Sequence, residues 1–166
     1  MDSPFVKMFV AMQERIVQQV PGLAHVAHDT GQLSGKGRPP VSWPCVLIDF
    51  EDFAFTNMGE HVQMAKGTVV LKLGFAPYSP TAHDTPAEYK AAAMAYYGAE
   101  AALHTAIHGW SPGEEQFGSL SRVSVTTQRR TDGYRVRELR YSVAFEDYST
   151  KPQQQWVPAE MFIVLG

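Results

Sequence analysis

The sequence predicts an α+β fold, with an antiparallel sheet of four to five strands and two helices packed on one face, in the order helix, two strands, helix, two strands. Two observations carry that prediction. Apolar residues recur at helical spacing over 5–20, and a stretch with a capping signal and an alanine run over 85–108 reads as a second helix. Between and after them, apolar residues alternate at period two in runs that come in pairs joined by turn-forming residues, the pattern of antiparallel hairpins.

The first helix opens at Ser3-Pro4, a capping residue followed by a proline whose missing N–H costs nothing at the first helical position. Phe5, Phe9, Met12, Ile16 and Val20 form its apolar stripe, and Pro21-Gly22 ends it. A short strand is expected around His25 and His28, followed by a basic loop, Gly35-Lys36-Gly37-Arg38-Pro39-Pro40. Pro44 then releases the chain into a strand over 45–55. Val46, Ile48 and Phe50 share one face there, but Phe53 and Phe55 fall on the other parity. Either a bulge near Glu51-Asp52 restores the phase or the strand stops and a wide loop begins. After Asn57-Met58-Gly59-Glu60 comes its partner over 62–75, with Val69, Leu71, Leu73 and Phe75 alternating.

The second helix is announced by Thr85-Pro86-Ala87-Glu88, a capping-box pattern, and runs to about His108 before Gly109. Its alanines leave a thin surface that can lie close on a sheet. The last hairpin spans 120–147 about Thr131-Asp132-Gly133. A three-residue loop pairs Val125 with Leu139 and Val123 with Tyr141, keeping apolar positions on one face; a two-residue turn would mix them with solvent positions. In that register the apolar face runs out before the turn does. It continues as Thr127, Arg129, Arg135 and Arg137, and Arg129 faces Arg135. One domain over 1–147 and a C-terminal extension over 148–166 are expected. The extension turns polar and then ends in an apolar piece with Met161, Ile163 and Leu165, which reads as an edge strand or an arm exchanged with another subunit.

Hydrophobic residues make up 45% of the 166 residues and charged ones 19%, so some surface is expected to be spent on contacts. A net charge of −3 argues against a general nucleic-acid binder of the basic kind. One cysteine, Cys45, excludes an internal disulfide and a thiolate zinc cluster, and its place in an apolar strand suits a buried inert thiol. The acidic start reads as no signal peptide, and no apolar run approaches the ~20 residues that span a bilayer.

The chemical candidates are weak. His104 and His108, four apart on a helix, lack a third metal ligand, and His25 and His28 are a looser pair. The stretch 31–37 departs from a phosphate loop in the spacing of its first glycine and in having Gly37 where a hydroxyl belongs. Asp49, Glu51 and Asp52 are explained as well by a solvated strand edge as by acid–base work. No enzymatic activity and no cofactor are expected. Six of the 14 lysines and arginines, namely Arg122, Arg129, Arg130, Arg135, Arg137 and Arg140, lie in the last hairpin beside Tyr134. Three readings stand for them: a solvated face, the complement of an acidic patch on a neighbouring subunit, or contacts to a single-stranded nucleic acid.

The chain resembles the tail terminator (tail completion) proteins of long-tailed bacteriophages, the minor tail protein U type. The resemblance spans roughly 3–147. It rests on the opening helix ending at Val20-Pro21-Gly22 and on Pro39-Pro40 and Trp43-Pro44 leading into Cys45-Val46-Leu47-Ile48. It extends through the Gln63 to Gly67 approach to a strand, the capped second helix, and Leu120 and Arg122 feeding the last hairpin. The tail after Asp147 departs from the family's usual ending. The resemblance implies a virion subunit assembled in a host bacterial cytoplasm, forming a homo-oligomeric ring, commonly six-fold. Such a ring terminates the tail tube and meets the head connector, with no cofactor. On this reading Arg129, Arg130, Arg135, Arg137, Met161, Ile163 and Leu165 are the expected subunit contacts. The alternative is a single-stranded nucleic-acid-binding module built on the arginine-rich hairpin.

Overall fold

The computed structural model describes residues 3–76, 81–113 and 116–152. The element order is α1 (Pro4–Gln19), β1 (His25–His28), β2 (Cys45–Gly59), β3 (Val62–Phe75), α2 (Ala87–Ile107), β4 (Ser121–Gln128) and β5 (Arg135–Asp147). The α+β class and the two helices agree with the sequence pattern. One five-stranded sheet runs in the order β1-β2-β3-β5-β4, so β5 inserts between β3 and β4. The sheet is mixed where a purely antiparallel one was expected, because β1 pairs in parallel with β2, His25 beside Cys45 and His28 beside Ile48. A parallel neighbour needs a crossover, and residues 29–44 supply it without a helix.

Both helices cover one face. Met8, Met12 and Ile16 of α1 and Val20 just past its end are buried against Val46, Ile48, Val69, Leu71 and Leu73. Phe5 and Phe9 are only partly buried and pack at the margin. Ser3 starts the helix through its carbonyl, which accepts from Val6 and Lys7 at 3.1 and 3.2 Å, and its hydroxyl makes no capping bond. The capping box expected at Thr85 does not form either: Pro86 occupies the N-cap position and α2 begins at Ala87. Ala93, Tyr96, Leu103, Ala106 and Ile107 bury α2 on the sheet.

The phase change in β2 is a bulge. Pairing with β3 shifts register between Glu51 and Ala54, Asp52 takes a φ of 56°, and the strand continues to Gly59. The extra residue turns Phe53 inward, where its ring meets Phe5 at 5.0 Å and lies on Gly67. A Cβ on Gly67 would sit 2.4 Å from that ring, so only glycine lets the aromatic down onto the strand.

The opposite face carries a smaller apolar cluster, in which Leu33, Leu47 and Val136 are buried under Val41 and Trp43. Trp43 lies flat on Gly74, where a Cβ would come within 2.6 Å of the indole. The crossover 29–44 is thus the lid of this second layer.

In the β4–β5 hairpin Val125 does pair with Leu139. Nearer the start of β4 the expected register fails. A bulge between Arg122 and Ser124 places Arg122 beside Tyr141 and turns Val123 out, 66% exposed. The ladder also stops at the Gln128–Val136 pair, so the seven residues 129–135 lie beyond it and Arg129 is not a ladder partner of Arg135. The final strand ends at Asp147. Met161, Ile163 and Leu165 lie outside the described residues.

Candidate functional site

The start of β5, the end of β4 and the crossover 29–44 meet at one end of the sheet. Asp29 anchors the crossover: its Oδ1 accepts from the N–H of Gly31 at 2.9 Å and its other oxygen pairs with Lys72 of β3 at 2.6 Å. Arg130 anchors the turn. It donates to the carbonyl of Leu33 and to Asp132 at 3.0 and 3.2 Å. The bonds to Arg130 hold the Asp132 carboxyl below its usual range. These ties bring the basic loop against the hairpin tip and leave an open groove of about 730 Å³ between them, lined by Leu33, Lys36, Arg38, Arg129, Arg130 and Tyr134. Lys36, Arg38 and Arg129 are exposed, and none has a hydrogen bond or ion pair among the described residues.

Tyr134 stacks on Trp43 with ring centroids 4.6 Å apart. Beyond that stack the same end holds an apolar recess of about 200 Å³ between Trp43, Pro44, Phe75, Ala92, Ala93 and Tyr96. The cationic groove and the apolar recess share one aromatic wall.

The structure corrects the premise that the hairpin arginines lack cover from their own chain. Arg137 donates to both carboxylate oxygens of Glu100 on α2 at 2.6 and 2.9 Å and to Thr127 at 2.7 Å. Arg135 lies over the Tyr96 ring at 4.0 Å. Arg140, on the opposite face, bridges Glu138 at 2.9 Å and Glu51 at 2.8 Å. Of the four tip arginines expected to make contacts, Arg129 alone is exposed without such a bond among the described residues, and Arg130 serves the groove as a clamp.

The other candidates have local roles. His104 Nδ1 stands 3.2 Å from the Tyr141 hydroxyl, and His108 Nδ1 accepts the N–H of Arg122 at 3.1 Å. Among the described residues no three His, Cys, Asp or Glu gather closely enough to hold a metal ion. Cys45 is fully buried, and burial pushes its thiol up to about 11, far from a nucleophile's range.

No protein-family model matches this chain, and no curated protein does. Among solved structures the chain is similar to one from the "virion of native gene transfer agent (GTA) particle", at a TM-score of 0.46 and 14% identity. That likeness covers 81% of this chain and 93% of the other.

Sequence reasoning missed a surface at the far end. Every residue from Ala54 to Gly59 is exposed, including Phe55 at 44% and Met58 at 61%. It is β2–β3, and not β4–β5, that runs on past the core. The signal was present in the parity shift after Asp52, which sends Phe55 along a ribbon that neither helix covers. Around that tip stand Glu60, Glu146 and Asp147, with His61 accepting a bond from Thr150. A third surface is the outer side of α1, where Val6, Val10 and Val17 are exposed beside a groove closed by Trp110.

Proposed function

We propose that this chain is a non-enzymatic structural subunit of a phage or prophage particle, a tail terminator that closes into a homo-oligomeric ring on the tail tube and offers a face to the head connector. The observation that carries the reading is the β2–β3 hairpin, which continues beyond its own core and presents Phe55 and Met58 to solvent. Exposed apolar side chains on a projecting ribbon suit burial against another copy. The exposed valines of α1 add a second surface of the same character. The sequence resemblance supplies the class of particle and the six-fold expectation. No described helix is long and apolar enough to cross a membrane, and the reading requires none.

The test is mass measurement in solution with negative-stain imaging over a concentration series, alone and with tail tubes. Closed rings of one size support the reading. A chain that stays monomeric in both conditions overturns it. A second reading, single-stranded nucleic-acid binding, has the groove of Lys36, Arg38 and Arg129 with Tyr134 on its wall in its favour. It predicts affinity that falls steeply with salt.

A further inference from the structure

The two ends of the sheet are unlike, and their differences match. One end is concave, with a cationic groove and an apolar recess either side of the Trp43–Tyr134 stack. The other is convex, with the Met58 tip flanked by Glu60, Glu146 and Asp147. Asp147 and Arg135 bound the thirteen residues of β5, which puts the two features ~40 Å apart on one rigid strand.

We infer that the β2–β3 hairpin of one copy docks into the basic end of the next, Met58 entering the recess beside Trp43 while Lys36, Arg38 and Arg129 meet the acids around the tip. The inference rests on the ring reading and names the surfaces that would make the ring. Two independent complementarities support it. Among the described residues Lys36, Arg38 and Arg129 stand exposed and unpaired at the groove, and Glu60 and Glu146 stand exposed near the tip, where Lys66 and Lys151 offset part of their charge. The apolar knob and the apolar recess are segregated in the same sense, and the recess, at about 200 Å³, is large enough for a methionine side chain. Such a contact is heterologous, since the patch given differs from the patch received. Copies joined this way form a ring where the rotation closes and a filament where it does not.

The test uses two variants of the full chain, Met58→Asp and the pair Lys36→Glu with Arg129→Glu. All three positions are exposed, so folding should be unaffected, and circular dichroism checks this. Each variant alone should associate at least about tenfold more weakly than wild type in sedimentation velocity. Mixed in equal amounts they should form a dimer and nothing larger, because the mixture contains one intact hairpin and one intact groove per pair. Wild-type rings that persist in both variants overturn this contact while leaving the ring reading intact. A wild type that is monomeric with and without tubes overturns the ring reading, and this contact with it. Salt-sensitive binding of a ~30-nucleotide single strand, abolished by the groove variant and left intact by Met58→Asp, would give the groove to a polyanion and overturn the contact.

Discussion

The ion pair between Arg137 and Glu100 shows why counting arginines along a strand misleads. Both side chains are largely withdrawn from water, at 18% and 13% exposure, and the guanidinium fork meets both carboxylate oxygens. Arg137→Met keeps the stem and strands the carboxylate, so we expect a loss of about 2 kcal/mol in urea melts at neutral pH. Adding Glu100→Gln should return part of that loss, since the remaining partner no longer carries an uncompensated charge. His104 makes a pH prediction. Burial first, then Arg122 and His108, lower its pKa from 6.5, so the folded chain favours the neutral ring. As pH falls through 6.5 the unfolded chain takes up that proton before the folded one, and stability is lost. His104→Gln should flatten the dependence below that pH in melts across the range, and an unchanged slope would count against it.

Among the strands and helices, those read correctly are the ones whose patterns are local. Met12, Ile16 and Val20 on the stripe of α1 and the pairing of Val125 with Leu139 follow from spacing and turn length, whereas the parity of Phe50 and Phe53 leaves a bulge and a strand end as alternatives, and the predicted stripe omits Met8. What escaped was long-range. Leu33, Val41 and Trp43 share no period, so nothing in the chain announces that 29–44 is a crossover lying over the second face of the sheet. That Arg135 and Arg137 lie under α2 depends on where the helix docks, which the hairpin's own sequence does not encode. The crossover's packing depends on Gly74, and Gly74→Val would drive a side chain into the Trp43 ring and the Cys45 sulfur, 2.6 and 2.9 Å from a Cβ there. We expect a loss of about 1–3 kcal/mol, with a weakened near-ultraviolet tryptophan signal and an intact far-ultraviolet spectrum. An unshifted tryptophan signal would show that the layer does not rest on this contact.

Taken together, the surfaces describe a body with direction. Its helices cover one face, a loop covers part of the other, and exposed apolar or cationic surface lies at the two ends of the strands and along the outer side of α1. The candidate groove was half visible in the sequence, as a basic loop and a basic hairpin tip named separately. Their convergence waited on the bond from Arg130 to Leu33 across ninety-seven positions of chain.

The kink at Val123 bears on how such a molecule avoids sticking to itself in the wrong way. Unpaired main-chain amides on an outermost strand are templates for aggregation, and proteins that work at high local concentration must blunt them. Here one lateral border is the four residues of β1 followed by the open edge of β2, which is bent by bulges at Asp52 and after Asn57, and the other is interrupted at Val123 with Arg122 beside the break. Neither offers a long, flat stretch onto which a stranger's backbone could zip, so side-by-side sheet growth toward amyloid is disfavoured.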